Sequence, residues 1–135
     1  MRLTRRYHFS ASHRLDTAAL SPEENRRLYG KCNNPHGHGH DYAVDITVAG
    51  PVDANGQIAS RDALDALVRD RVLARLDHKN LNLDVAEFRG SVPTTENLAT
   101  LIRSALEKDW PLPARLSGIR ISETGRNTFA WEAPQ

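Results

Sequence analysis

Hydrophobic and polar side chains alternate along the first fifteen residues of the chain. Most odd positions carry apolar residues or one histidine, while arginines, serines and a second histidine occupy even positions. Because successive residues of an extended chain point to opposite faces, this alternation predicts a strand over 2–15 with a buried odd-numbered face. A second alternation predicts a strand over 40–49, and the Gly50-Pro51 step ends it.

The hydrophobic period becomes helical after this second strand. Apolar residues between Leu64 and Leu76 recur every three or four positions, which predicts an amphipathic helix over 61–76. Ser60 is a suitable N-cap for it. The polar run over 77–84 reads as a loop.

A second helix follows a recognisable start signal at 93–96, where Pro-Thr-Thr-Glu places an acidic residue in the first turn. Its apolar stripe extends over 98–106, and Pro111 and Pro113 end it.

In contrast, residues 16–37 are rich in Gly, Asn and Pro, and we interpret them as one long loop.

Two further alternating segments, 116–122 and 127–132, flank a tight turn at 123–126 and predict a hairpin. The predicted order is therefore ββααββ, an α+β fold. A four-stranded antiparallel sheet with two helices on one face satisfies this order. Its other face would then be covered by another subunit.

The composition is that of a globular domain. The 135 residues are 39% hydrophobic and 26% charged, with a net charge of +1, so we expect one domain over 1–135 and no strongly basic surface for nucleic acid. We find no apolar run of membrane-spanning length and no apolar core of a signal peptide, and therefore expect a cytoplasmic protein. A chain of this size buries a modest core, which favours oligomerisation.

Histidines are the first candidates for chemistry. His38 and His40 lie two positions apart on a strand, so both imidazoles point to the same side. His13 lies on the inward face of the first strand, and antiparallel pairing of the two strands would bring it beside them. Three neutral imidazoles form a site for Zn²⁺ with one open position, which is typical of catalytic zinc.

Simpler interpretations of these histidines remain open. The tract HGHGH at 36–40 is also compatible with a flexible His-rich loop that binds metal weakly without catalysis. His13 alone is compatible with a hydrogen-bonded core histidine.

Four other residues have both a chemical and a structural interpretation. Cys32 is the only cysteine, and it is either a reactive thiol or a small buried apolar residue. Asp77-His78 is either a proton-transfer pair or a solvated helix end. Glu123 is either a turn residue or a carboxylate that binds a guanidine-like ligand edge.

Six segments together resemble the 6-pyruvoyl-tetrahydropterin synthase family, in order and at the expected separations. They are FSASHRL (9–15), GKCNNPHGHGHDYAV (30–44), VDANGQI (52–58), LDHKNLNLD (76–84), PTTENLA (93–99) and ISETGRN (121–127). The resemblance implies the tunnelling fold, in which three subunits close a twelve-stranded barrel and two trimers stack into a homohexamer. It also implies a pterin triphosphate as the small-molecule partner.

The resemblance also implies a role for each matching residue. The metal ligands would be His13, His38 and His40, binding Zn²⁺. Cys32 would be the catalytic thiol, with Asp77 and His78 as an acid–base pair that faces it across a subunit interface. The residues that match the family's pterin-binding positions are Thr94, Thr95, Glu96 and Glu123, with Glu123 holding the amino-pyrimidine edge. Apart from the resemblance, Arg14 and Lys31 are candidates for contacting the phosphates, and each is also compatible with a solvated surface side chain.

Two activities in this family use 7,8-dihydroneopterin triphosphate. One is a zinc-dependent lyase reaction that releases triphosphate and gives 6-pyruvoyl-tetrahydropterin, toward tetrahydrobiopterin. The alternative also releases acetaldehyde and gives 6-carboxy-5,6,7,8-tetrahydropterin, toward queuosine. The number of residues between the cysteine and the His-Gly-His pair is expected to separate them, five in the first and three in the second. Five residues lie between Cys32 and His38, and three lie between Cys32 and His36. The strand-like sequence HGHDYAV, which begins at His38, indicates that His38-Gly39-His40 is the relevant pair. The spacing of five therefore favours the first activity.

Overall fold

Two long antiparallel strands form the centre of the fold. Strand β1 (Arg2–His13) pairs with β2 (His38–Ala49) along its whole length in the computed structural model, which describes residues 1–135. The odd residues of β1 share a face with the even residues of β2, and Phe9 stacks on Tyr42 in the core. This face, against which the helices pack, is called the inner face below. Both strands were predicted, and their ends differ by two residues.

Three further strands complete one sheet. β4 (Arg115–Ser122) pairs with β2, and β5 (Thr128–Glu132) pairs with β4, both antiparallel as predicted. At the opposite edge a two-residue strand, β3 (Lys79–Asn80), runs parallel to β1. The strand order is β3-β1-β2-β4-β5. The sheet is thus five-stranded and mixed, and the expected purely antiparallel four-stranded sheet is wrong at this edge.

Hydrogen bonds to Ser10 explain why the segment predicted as a polar loop joins the sheet. The Asp77 carboxylate accepts the Ser10 backbone N–H at 2.9 Å, and the His78 N–H donates to the Ser10 carbonyl at 2.6 Å. These bonds bring the chain alongside β1 before β3 begins. The strand β3 could not be predicted from hydrophobic periodicity, because these hydrogen bonds join polar atoms that are far apart in sequence.

The predicted long loop contains helix α1 (Pro22–Tyr29). Ser21 accepts the Glu24 N–H while the Glu24 side chain accepts the Ser21 N–H, a capping box, and Pro22 occupies the first turn. The prediction of a loop was wrong because this helix is mostly polar and exposed. The Ser-Pro-Glu-Glu start signal at 21–24 could have revealed it.

The two predicted amphipathic helices are present on the inner face. Segment 61–76, called α2, is α-helical at Arg61–Val68 and Ala74–Leu76 and π-helical at Arg69–Leu73 between them. After the short helix α3 (Leu81–Asp84) comes α4 (Thr95–Glu107). Short 3₁₀ turns at Gly30–Asn33 and Ala86–Phe88 complete the chain. The helices and the inner face of the sheet bury one apolar cluster, whose largest members are Tyr42, Ile46, Leu64, Leu76, Leu81, Leu98, Ile102, Leu106, Ile119 and Ile121.

The outer face of the sheet is polar. Arg6 pairs with Asp45 through two bonds of 2.7 and 3.0 Å, and Ser10 donates to Asp41 across the same two strands. The expectation of a covering subunit on this face stays a prediction. None of the helices has both the length and the apolar character that crossing a membrane requires.

Candidate active site

His13 ends β1 on the inner face and is completely buried. Its Nδ1 lies 2.9 Å from the Pro93 carbonyl oxygen, to which the Nδ1–H donates, and 3.4 Å from the Tyr42 hydroxyl. Nε2 therefore carries the free lone pair, and it has no hydrogen-bond partner. Burial, followed by repulsion from His40, lowers the pKa of His13, which keeps the ring neutral. A neutral imidazole whose other nitrogen is fixed by a carbonyl is a typical metal ligand.

His40 lies at the centre of a group of converging side chains. Its Nε2 is 2.9 Å from Glu123 Oε1, 3.3 Å from His38 Nδ1 and 3.5 Å from Cys32 Sγ. The His13 ring packs edge-on against it at 4.7 Å between centroids. Burial is the main cause that lowers the pKa of His40. The same-face placement predicted from the sequence thus brings His13 and His40 together.

Cys32 comes from the 3₁₀ turn Gly30–Asn33 that follows α1. Burial, and then the negative charge of Glu123, raise the pKa of its thiol. A positive charge within the group is therefore required to hold the thiolate at neutral pH. A cation bound beside the sulfur would lower the thiol pKa and so favour the thiolate.

Glu123 directly follows Ser122, the last residue of β4, which pairs with β2. The pairing of Ser122 with Ala43 brings the next residue alongside His40. Its Oε2 accepts a short hydrogen bond from the Thr95 hydroxyl, and its Oε1 also lies 3.7 Å from His13 Nε2. The carboxylate is thus oriented by helix α4 and directed at the two histidines.

Four donor atoms from these residues lie within 4.8 Å of one another: His13, Cys32, His40 and Glu123 each supply one. Two imidazole nitrogens, a sulfur and a carboxylate oxygen are all ligand types that zinc accepts. The partnerless buried Nε2 of His13 fits the same assignment. The residues present therefore fit a metal ion. His38, the third predicted ligand, is exposed and stands next to His40, outside this group of four.

Comparison with known proteins gives the family. Residues 2–134 match the family described as 6-pyruvoyl tetrahydropterin synthase. The chain belongs to this family. It is 44% identical to the 6-pyruvoyl tetrahydrobiopterin synthase of Drosophila melanogaster over 133 residues, 98% of this chain and 79% of that protein. With the Homo sapiens protein of that name it shares 44% identity over 131 residues, covering 96% of this chain and 90% of the other.

A solved structure extends the similarity to the fold. The 6-pyruvoyl tetrahydropterin synthase of Caenorhabditis elegans superposes with a TM-score of 0.90 at 36% identity, covering 99% of this chain and 96% of that one. The expected membership of the 6-pyruvoyl tetrahydropterin synthase family is confirmed.

The Asp77-His78 pair is not part of the four-residue group. His78 Nδ1 is 3.0 Å from the Asp77 carboxylate, and the His78 side chain is 83% exposed. Its backbone has a positive φ of 58°, held by the bonds to Ser10. The His78 side chain lines an open depression of about 560 Å³ at the edge of the sheet, together with Ser10, Ser12 and His40 among other residues. The catalytic role of the pair stays a prediction for this 6-pyruvoyl tetrahydropterin synthase family member.

The predicted pterin-pocket residues divide into two kinds. Thr95 is buried and contacts Glu123. Thr94 is the N-cap of α4 and accepts the Asn97 N–H, while Glu96 is exposed in the first helical turn. Their binding roles stay predictions.

Three residues around the site were not predicted. Pro93 and Tyr42 both contact His13 Nδ1; Tyr42 follows His40 by two positions on the inner face, a signal the alternation contained. Gly37 has a φ of 78°, and a Cβ there would lie 2.9 Å from the His13 carbonyl oxygen. Only glycine therefore fits where the loop returns to β1.

Proposed function

We propose that this protein is a zinc-dependent lyase that converts 7,8-dihydroneopterin triphosphate to 6-pyruvoyl-tetrahydropterin with release of triphosphate, a step toward tetrahydrobiopterin. The observation that carries the proposal is the convergence of His13, His40, Cys32 and Glu123 at one point of the inner face. Family membership supports the substrate class, and the similar proteins described above carry the corresponding names.

His13, His40 and the adjacent His38 would hold the zinc ion. When bound, zinc supplies a Lewis acid that makes the side-chain hydroxyls and neighbouring C–H groups of the substrate more acidic. The protein fixes the tautomer of His13 through the Pro93 carbonyl, so that Nε2 faces the site.

Cys32 would take the proton from the substrate side chain. Its sulfur stands 3.5 Å from His40 Nε2, so a pterin side chain in the site lies within reach of the thiolate. Because burial raises the thiol pKa, the bound cation would be what keeps Cys32 ionised.

Glu123 would anchor the pterin ring. A carboxylate can accept two parallel hydrogen bonds from an amino-pyrimidine edge, which fixes the ring and the reacting carbons together. The Thr95 hydroxyl holds the carboxylate in place. Glu123 therefore orients the substrate through groups that do not react.

The overall change needs no external oxidant. The substrate ring is a dihydropterin and the product ring a tetrahydropterin, so the ring gains the two hydrogens that the first side-chain carbon loses as it becomes a carbonyl. The second carbonyl forms without an oxidant, because elimination of triphosphate leaves an enol that becomes a ketone next to a methyl group. Triphosphate leaves with the pair of electrons of its C–O bond. Acid and base groups that move protons are thus sufficient, and Cys32 with the Asp77-His78 pair supplies them.

The register of β2 bears on the choice of product. His38 and His40 are the histidines at inward-facing positions of β2, whereas His36 lies before the strand and is exposed. The pair on the strand is therefore His38-Gly39-His40, of which His40 lies 3.5 Å from Cys32 Sγ. Five residues separate Cys32 from His38. This spacing favours the pyruvoyl product over the carboxy product.

The decisive experiment identifies the product. Purified protein loaded with zinc is incubated with 7,8-dihydroneopterin triphosphate, with Cys32→Ala as the control. We expect triphosphate and 6-pyruvoyl-tetrahydropterin by mass spectrometry. Acetaldehyde with 6-carboxy-5,6,7,8-tetrahydropterin as the main products would overturn the pyruvoyl assignment. Several weakly bound metal ions per chain and no turnover would favour a non-catalytic metal-binding protein.

We further propose that residues 1–135 act as a single domain within a homohexamer, whose interfaces complete the active sites. The His78 side chain is 83% exposed and is not among the side chains that converge with Cys32, which supports this arrangement. Mixing Cys32→Ala chains with His78→Ala chains should restore part of the activity, because some interfaces would join two intact halves. A monomer in light scattering, or no recovery after subunit exchange, would contradict it.

A further inference from the structure

Asn33 is a buried polar residue that the proposed chemistry does not use. It follows Cys32 in the CNNP segment and is 7% exposed. Its Nδ2 donates to the Leu15 carbonyl oxygen at 2.7 Å and to Asp16 Oδ1 at 2.9 Å. Both hydrogens of its amide are thus directed at the segment that continues from β1.

Two further hydrogen bonds join these segments through the carbonyl groups of Cys32 and Asn33. The Leu15 N–H donates to the Cys32 carbonyl at 2.7 Å, and Arg14 Nε donates to the Asn33 carbonyl at 3.3 Å. Together with the side chain of Asn33, these bonds connect 32–33 to 14–16 at four points. Residues 14–16 directly follow His13, so the position of Cys32 is set relative to that histidine.

The neighbouring Asn34 bonds the residues that follow it rather than the segment after β1. Its side chain accepts the His36 N–H, and its carbonyl accepts the Gly37 N–H at 2.8 Å, so it shapes the turn toward β2. Asn34 is exposed and makes no bond to 14–16. The attachment of Cys32 therefore depends on the first asparagine of the pair.

We propose that Asn33 is a positioning residue for Cys32: its carboxamide fixes the turn Gly30–Asn33 on residues 14–16 and so aims the sulfur at the histidines. The inference rests on the proposed role of Cys32 as the base. Asn33 acts through Cys32, and its removal lets the turn shift away from β1. Because a displacement of about 1 Å can reduce a rate by about 100-fold, such a shift affects turnover more than binding.

Asn25 offers a matched control. It is 2% exposed, and its carboxamide likewise bonds backbone groups of the chain after β1, accepting the Thr17 N–H and donating to the Thr17 carbonyl, both at 2.9 Å. It belongs to α1 and makes no bond to Cys32. Asn25→Ala therefore costs buried hydrogen bonds of the same type without releasing the thiol.

The experiment compares Asn33→Ala with Asn25→Ala in the full-length zinc-loaded protein. We expect Asn33→Ala to lower kcat by about 10- to 100-fold and to change KM by no more than about twofold, because the substrate anchor is intact. Asn25→Ala should lower the unfolding midpoint but keep kcat. A second readout needs no turnover and uses protein freed of metal by a chelator. Cys32 is the only thiol, and its alkylation by iodoacetamide, followed by mass spectrometry, should become several-fold faster in Asn33→Ala alone, because the sulfur leaves the buried position that raises its pKa.

Two outcomes would overturn the inference: wild-type kcat and alkylation in Asn33→Ala, or equal changes in both variants. If Asn33→Ala does not fold, Asn33→Ser retains one donor and Asp16→Ala removes one acceptor. Both should then give intermediate alkylation rates, and unchanged rates in both would also overturn the inference. If the wild-type protein makes no pterin product, the proposed function fails, yet the alkylation comparison still decides whether Asn33 positions Cys32.

Discussion

The two ends of the inner face of β1 carry polar side chains in opposite situations. Near the start of the strand, Arg5 makes two bonds to the Asp65 carboxylate of α2, at 2.7 and 3.0 Å, and Tyr7 donates to the same carboxylate at 2.6 Å. At the other end, His13 is buried with an Nε2 that bonds nothing. In the first group the donors of Arg5 and Tyr7 are matched by the Asp65 carboxylate, whereas in the second the Nε2 atom of His13 has no hydrogen-bond partner.

This difference separates a structural cluster from a functional one. A buried polar group without a partner costs roughly 1–3 kcal/mol, so folding alone gives no reason to keep one. In the Arg5–Tyr7–Asp65 cluster, opposite charges and donors match. Around His13, in contrast, the nitrogen, sulfur and carboxylate oxygen atoms that lie close together all carry lone pairs, and few hydrogen-bond donors face them. A bound cation would accept these lone pairs as its ligands.

The largest expected effect comes from removing the unpartnered histidine. His13→Ala should weaken zinc binding by more than about 100-fold, since loss of even an outer partner of a ligand costs 10–100-fold. Turnover should disappear with the metal. Metal analysis after dialysis measures this, with His8→Ala, an exposed histidine on the outer face of the same strand, as the control. Unchanged zinc in His13→Ala would remove the distinction between the two ends of β1.

Replacing the thiol separates metal binding from proton transfer. Cys32→Ala should keep zinc and pterin binding but lower kcat by about 10²–10⁴-fold, the usual contribution of a positioned base. Metal content, substrate affinity and single-turnover rates check this. Loss of zinc together with activity would instead make Cys32 a required ligand.

A smaller effect is expected from the carboxylate. Glu123→Gln should raise KM by about 10- to 150-fold, corresponding to the 1.5–3 kcal/mol of a charge-assisted hydrogen bond. The fold should be retained, because the amide can still accept from Thr95. An unchanged KM together with a collapsed unfolding midpoint would place Glu123 with the structural cluster instead.

The smallest effect belongs to the complete cluster. Asp65→Asn should lower Tm by about 2–4 °C at pH 7 and leave kcat unchanged, since the pair is partly exposed to solvent. The Arg5 guanidinium, and then the Tyr7 hydroxyl, hold the pKa of Asp65 below its usual value. The wild-type advantage should therefore be complete above about pH 4 and disappear as the pH falls through the lowered pKa. Melting curves of both proteins from pH 7 to pH 3 test this, and a kcat loss in Asp65→Asn would contradict it.

Local patterns were sufficient for the long elements. The alternation in β1 and β2 predicted both strands and placed His13, His38 and His40 on one face, because side-chain direction in a strand depends only on position parity. Helix α1 was missed although its capping box is local, since the hydrophobic period was the main criterion. Strand β3 could not be found this way, because its place depends on bonds between Asp77, His78 and the distant Ser10.

The sequence by itself determined the alternating strands, the two amphipathic helices and the family resemblance that pointed to Cys32 and Glu123. Only the tertiary structure decided which of these side chains meet. Glu123 reaches His40 through the register of β4 on β2, and Cys32 reaches it through the bonds of 32–33 to 14–16. Both are pairings between distant segments, and their free energy depends on the folded chain as a whole rather than on any local window of residues.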